Sequence, residues 1–209
     1  MVRDGIIEEF LSDLSSDRPV PGGGGASALS GAFGVSLGAM VARLSVGKKK
    51  LKEHEPKFIE AIGTFDKLKE VFLSLADRDE AVFLNLKNAL ALPKETEEEI
   101  RVRDIALMFA LIDAAEVPVN IMETSLGALE MMEEIAPIGS KFAISDVAVG
   151  ASCLYTAMEG ASMNVLINAN LMKDREKAGY FLERRKRILS AGKEKAERIK
   201  NIIAKRLEN

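Results

Sequence analysis

"RPVPGGGGASALSGAFGVSLGAMVARLSVGKKK", Arg18 to Lys50, sets four consecutive glycines in front of a long apolar run. Such a stretch opens a phosphate-cradling loop, a membrane span or a helix at the centre of a bundle. The phosphate loop fails on register. A P-loop needs a glycine five residues before its Gly-Lys pair and Ser or Thr after the lysine. Here Gly47-Lys48 has Ala42 and Lys49 at those places. The dinucleotide pattern fails as well, because Gly22 and Gly24 leave Ser27 where the third glycine belongs. No β-branched strand precedes the turn. Residues 22–42 carry no charge and have the length of a bilayer span. Seven glycines and three serines dilute that run, so a buried helix explains it better. Read as a helix over residues 25–46, Ser27, Gly31, Gly34, Gly38 and Ala42 fall close to one face. A stripe of small residues lets a second backbone approach closely, which predicts a helix at the centre of the fold.

The remainder of the chain agrees. With 209 residues, 47% apolar and 29% charged, the composition is that of a soluble globular protein, expected as one domain over residues 1–209. A formal charge of −3 offers no electrostatic reason to expect nucleic-acid binding, and no membrane partner is expected. One cysteine, Cys153, cannot form an internal disulfide and suits a reducing compartment. One histidine, His54, excludes a His-rich metal site within one chain, and no metal is expected. Acids in "MVRDGIIEEFLSDL" oppose a signal peptide, so the expected location is the cytoplasm.

Helical periodicity recurs at residues 3–14, with Ile6, Ile7, Phe10, Leu11 and Leu14 on one side. Pro56 suits the first turn of a helix running to about residue 92. Thr96 with Glu99 forms a capping-box pattern, and that helix continues to about residue 134 with a kink expected at Pro118. Residues 140–172 are apolar nearly all round, as in a helix enclosed by others. Residues 174–207 form a charged amphipathic helix. No stretch alternates with a period of two. The fold class predicted is all-α, an up-and-down bundle of long helices without a β-sheet.

Acids in apolar surroundings are the informative residues. On the helix carrying "LADRDEAVFLNLK", Leu68, Phe72, Leu75, Val82, Phe83, Leu86 and Leu90 lie within about 60° of Asp79 at 100° per residue. Asp79 therefore interrupts an apolar stripe, whereas Asp77 projects from the opposite face. Such a carboxyl is either partnered or raised in pKa, and raised carboxyls serve acid–base chemistry near neutral pH. A structural role, capping or pairing with a neighbouring helix, fits the same position. Asp146 shares a face with Phe142, Val149, Cys153 and Asn164, but also suits a first-turn acid complementing a helix dipole. Asn164 is eighteen residues on, roughly 27 Å along a helix, so the two meet one ligand only if a second subunit brings them together. Lys48, Lys49 and Lys50 follow a helix end and complement its negative pole, or meet an anionic substrate tail. Met131 and Met132 read as core packing.

In series, "PGGGGASAL", "GAMVARLSVGKK", "ADRDEAVF", "IALMFALIDAAEVPVNIMET", "SDVAVGA" and "NVLINAN" resemble the formimino-tetrahydrofolate cyclodeaminase family, which includes a methenyl-tetrahydrofolate cyclohydrolase branch. The likeness runs over about residues 5–190. It implies an all-α homodimer acting on folate-bound one-carbon units. The implied reaction converts 5-formimino-tetrahydrofolate to 5,10-methenyl-tetrahydrofolate with release of ammonia, and needs no cofactor beyond the folate. By the matching motifs, Asp79, Asp146 and Asp77 are the implied proton-transfer or pterin-holding groups. The turn at Pro21, Gly22, Gly23 and Gly24 would bring backbone N–H groups to the ligand. Lys48 would receive a carboxylate of the glutamate tail, and Asn164 and Asn168 a pterin or amide edge. Where the family carries Pro-Gly-Gly-Gly-Ser this chain has Gly25 in the serine's place, and Ser27 would be the substitute hydroxyl. The substrate is expected from a separate formiminotransferase. The cyclohydrolase reaction, giving 10-formyl-tetrahydrofolate, is the alternative. A non-catalytic helical interaction protein is another, which ligand-dependent melting would distinguish.

Overall fold

The computed structural model describes residues 7–208. Six α-helices follow in order: α1 (Ile7–Leu14), α2 (Gly23–Arg43), α3 (Glu55–Leu90), α4 (Glu97–Ile135), α5 (Ile144–Leu171) and α6 (Arg175–Glu208). A 3-10 turn, Lys49–His54, joins α2 to α3. No strand occurs among the described residues, and the bundle is all-α. The part of the first predicted helix before Ile7 lies outside the described residues.

The helix α2 sits at the centre, packed along α3 on one side and α5 on the other. Its small residues are the cause. A Cβ on Gly31 would overlap the Phe72 ring, and one on Gly38 would come within 2.9 Å of the Phe65 ring. At Gly34 the same atom would lie 2.9 Å from the carbonyl oxygen of Gly150, so the α2 and α5 backbones nearly touch there. The helix begins two residues earlier than the sequence suggests, taking Gly23 and Gly24 into its first turn, with Gly22 extended before it and offering no side-chain cap.

Local signals set the other ends. Pro56 occupies the first turn of α3. Thr96 caps α4: its Oγ1 accepts from the Glu99 N–H at 3.2 Å, while Glu99 Oε2 accepts from the Thr96 N–H at 2.9 Å. The helix α4 continues through Pro118, which is buried. At its far end, Arg206 of α6 donates to the carbonyls of Ala136 and Gly139, satisfying groups that a helix terminus leaves open. Arg184 of α6 binds Glu116 at 3.0 Å and Glu123 at 2.8 Å, fastening α6 to α4. Met132 is fully buried among these helices, as its pattern predicted.

The helix α5 departs from its sequence reading. It packs on α2, α4 and α6, yet Val149, Met163, Ile167 and Leu171 remain about half exposed. Three neighbours cover only part of a helix that is apolar all round. Phe33, Met40 and Leu44 of the adjoining α2 region are also exposed, so a mainly apolar face runs along the α2–α5 pair, with Arg43 and Glu159 the exposed charges on those two helices. By length and composition α2 and α4 each hold a run capable of crossing a bilayer; the α4 run was not singled out from sequence.

Candidate functional site

The first turn of α2 meets the middle of α3. There Asp79 Oδ2 accepts a 3.0 Å hydrogen bond from the Gly25 backbone N–H, 54 residues away in sequence. A Cβ on Gly24 would overlap the Asp79 carboxylate, so glycine at 24 is what admits the acid to this position. Any Cβ at Gly22 or Gly23 would meet nothing within 4 Å. Open space therefore lies above the first two glycines and none above the third.

That space belongs to a groove of about 300 Å³ between the start of α2, the second half of α3 and the end of α5. Gly22, Gly23, Gly24, Asp79, Asn164 and Asn168 supply its polar lining, and Val82, Phe83, Leu86, Leu90, Ile167 and Leu171 its apolar lining. Asp79 is the one ionisable side chain lining it among the described residues. Burial pushes its carboxyl up from 3.8 to about 6; the Gly25 N–H pulls it back down and the neighbouring Glu80 charge adds to the rise. Burial also raises Glu80, with the negative charges of Asp77 and Asp13 contributing. A carboxyl with pKa near 6 populates both protonation states close to neutral pH, as a proton shuttle requires.

The groove does not gather every residue singled out from sequence. Asn164 and Asn168 line it, and Asn168 is oriented by donating Nδ2 to the Ala114 carbonyl at 2.7 Å. Pro21 follows a cis peptide bond beside the groove but is not part of its lining, whereas Pro19 and Val20 are. Ser27 is buried and turned elsewhere: its hydroxyl donates to the Gly23 carbonyl at 2.7 Å and faces Gly160 of α5. Asp77 lies outside the lining.

Lys48 and Asp146 stand at the other end of the molecule. The helices α2 and α5 run antiparallel, so the end of α2 meets the beginning of α5. Lys48 Nζ donates to Ser140 Oγ and lies 5.3 Å from the Phe142 ring centroid, and Phe142 itself is 97% exposed. Asp146 occupies the first turn of α5 nearby. Within one chain neither residue reaches the groove. Ile167 and Leu171, which sequence reasoning missed, follow Asn164 at i+3 and i+7, a spacing that places them on its face.

A family model described as formiminotransferase-cyclodeaminase matches residues 6–187. The chain belongs to this family. It is 33% identical over 199 residues to a methenyltetrahydrofolate cyclohydrolase of Methylorubrum extorquens, covering 95% of this chain and 96% of that one. It is 32% identical over 171 residues to the formimidoyltransferase-cyclodeaminase of Rattus norvegicus, covering 82% of this chain and 32% of the relative. The chain thus spans about a third of the length of that relative. Its fold matches the crystal structure of a formiminotetrahydrofolate cyclodeaminase from Thermotoga maritima, with a TM-score of 0.88, 24% identity and 98% coverage of both chains. The family places this protein among the folate one-carbon cyclodeaminases and cyclohydrolases.

Proposed function

We propose that the chain is a formimino-tetrahydrofolate cyclodeaminase with its reacting centre at Asp79. The folate 10-nitrogen attacks the carbon of the protonated formimino group (–CH=NH2+), and a carbon–nitrogen bond forms as the C=N electron pair moves to the exocyclic nitrogen. That nitrogen passes its proton to the Asp79 carboxylate. The bond from the same carbon to the exocyclic nitrogen then breaks, and this nitrogen takes a proton and leaves as ammonia. Methenyl-tetrahydrofolate remains. One shuttling carboxyl is enough for this relocation of a proton, and Asp79, raised to about 6 in a groove with no other ionisable lining group among the described residues, is the observation that supports it. Asn164 and Asn168 offer amide groups to the pterin, and Gly22, Gly23 and Gly24 let the ligand approach the start of α2.

The proposal extends to a cytoplasmic homodimer that needs no cofactor beyond the folate, no metal, nucleic acid or membrane, and is fed by a separate formiminotransferase. Two-fold pairing across the apolar α2–α5 face would exchange the two ends of that antiparallel pair, bringing Lys48 and Asp146 of each subunit toward the groove of the other. Asp77 enters this scheme only through its charge on Glu80.

Cyclohydrolase activity is the second reading, favoured by the Methylorubrum relative that matches over nearly its whole length. There water adds to the methenyl carbon and gives a proton to the same carboxyl, which returns it to the 5-nitrogen as the bond from that nitrogen to the carbon breaks; the remaining hydroxyl proton goes to solvent and 10-formyl-tetrahydrofolate is left. Ammonia release and methenyl absorbance, followed in one sample of 5-formimino-tetrahydrofolate, decide between them. Both products appearing with enzyme supports cyclodeamination. Neither appearing, with accelerated loss of added methenyl-tetrahydrofolate, transfers the assignment to the hydrolase. Silence in both assays refutes both and leaves a non-catalytic role.

A further inference from the structure

The groove's polar groups gather at the α2 end, and its apolar walls continue along α3 to Leu90, eleven residues or about 16 Å beyond Asp79. A ligand with a polar ring system at one end and an aromatic ring after it would lie along this gradient, leaving its far substituent beside the last turn of α3. Arg103 of α4 stands there. Its Nη2 donates to the Leu90 carbonyl at 3.4 Å, while its Nε is buried with no hydrogen-bond partner. No carboxylate pairs with it among the described residues.

Neighbouring cations are differently placed. Lys173 is held by Asp104 at 2.7 Å and Lys177 by Asp174 at 3.3 Å. Lys87 and Lys94 are exposed. A guanidinium without a carboxylate partner, held against the carbonyl of Leu90 just beyond the lining at the end of an apolar groove, is suited to a carboxylate delivered along that groove.

We infer that Arg103 is the receptor for the carboxylate tail of the folate, a position that sequence reasoning gave to Lys48. The inference rests on the groove being a folate site. Because Arg103 also caps a carbonyl at the end of α3, a purely structural role is the competing account.

Binding of tetrahydrofolate and of tetrahydropteroate, identical except for the glutamate, separates the two accounts when measured by calorimetry on the full chain. Wild-type protein is expected to bind the glutamate-bearing compound about tenfold or more tightly, as for one charge-assisted pair. In Arg103→Ala this ratio is expected to fall to within about twofold, with partial recovery in Arg103→Lys, which keeps the charge but not the fork. Arg101→Ala, on an exposed residue paired with Glu98, is the control and keeps the ratio. A ratio unchanged in Arg103→Ala, with both ligands weakened alike, overturns the inference in favour of helix capping. A ratio lost in Lys48→Ala instead overturns it by moving the receptor to the other end of the chain. Equal affinity of the wild type for both compounds overturns the inference alone. Binding of neither removes the folate reading and the inference with it.

Discussion

Replacing Asp79 by asparagine should abolish turnover and stabilise the fold, and the second effect can be worked out from the structure. The carboxyl stands near 6 in the folded chain against 3.8 as its ordinary value. At about 1.4 kcal/mol for each unit of that gap, keeping it ionised costs the folded state about 3 kcal/mol above pH 7. Asparagine has the same shape and its oxygen can still accept the Gly25 N–H, and the stronger bond of that N–H to the charged form is already contained in the value near 6. The net expectation is a gain of up to about 3 kcal/mol at pH 8. The sign follows from proton binding. Between pH 4 and 6 the folded chain holds a proton at Asp79 that the unfolded chain has released, so wild-type stability contributed by this group falls as pH rises through 6. The asparagine variant lacks that fall. Urea unfolding of both proteins at pH 5 and pH 8 should therefore show an advantage that widens with pH. A variant less stable than wild type at pH 8 would refute the claim that Asp79 is held at a cost, and with it the reason for placing proton transfer there.

Other expectations follow from the same geometry. The wild-type kcat/KM should rise through about pH 6 as Asp79 ionises to its proton-accepting form, measured with saturating buffer controls; a flat profile from pH 5 to 8 argues against it. Gly24→Ala should lower kcat/KM by about a hundredfold or more by displacing the carboxylate, with helicity retained by circular dichroism. Arg184→Ala should destabilise by about 1–3 kcal/mol in urea, since it leaves Glu116 and Glu123 without their shared partner, and should leave the groove's ligand affinity unchanged. If a second subunit completes the site, inactive Asp79→Asn and Asp146→Asn proteins, unfolded and refolded together, should recover about a quarter of wild-type activity, because half the dimers then carry one intact site. Recovery no greater than in either parent alone would confine Asp146 to its own chain.

Much of the architecture was legible because helix signals are local. The capping box at Thr96, Pro56 in the first turn of α3 and the small-residue stripe of α2 each state their purpose within a few residues. What escaped depends on which elements become neighbours. Glycine has poor helix propensity, so Gly23 and Gly24 read as turn until the carboxylate beside Gly24 explains why no larger residue is admitted there. The apolar pattern of α5 gave its character but not how many helices would cover it. At the site, Asp79 announced itself by breaking an apolar stripe. Lys48 did not reveal its distance from the glycine turn, because only the antiparallel course of α2 and α5 puts it beside Ser140. Ser27 kept its hydroxyl for its own helix, a choice invisible in spacing. Arg103 carried no signal at all, sitting in a charged helix start that resembles any solvated one.

The contrast between Gly23 and Gly24 also marks where the molecule can be instrumented. Side-chain atoms at 23 enter open space, whereas those one residue later collide with the carboxylate. With Cys153, the chain's one cysteine, replaced by serine, a cysteine introduced at Gly23 would hold a fluorophore at the mouth of the groove. Emission would then change as ligands enter, giving an optical readout of occupancy that needs neither turnover nor a coloured product.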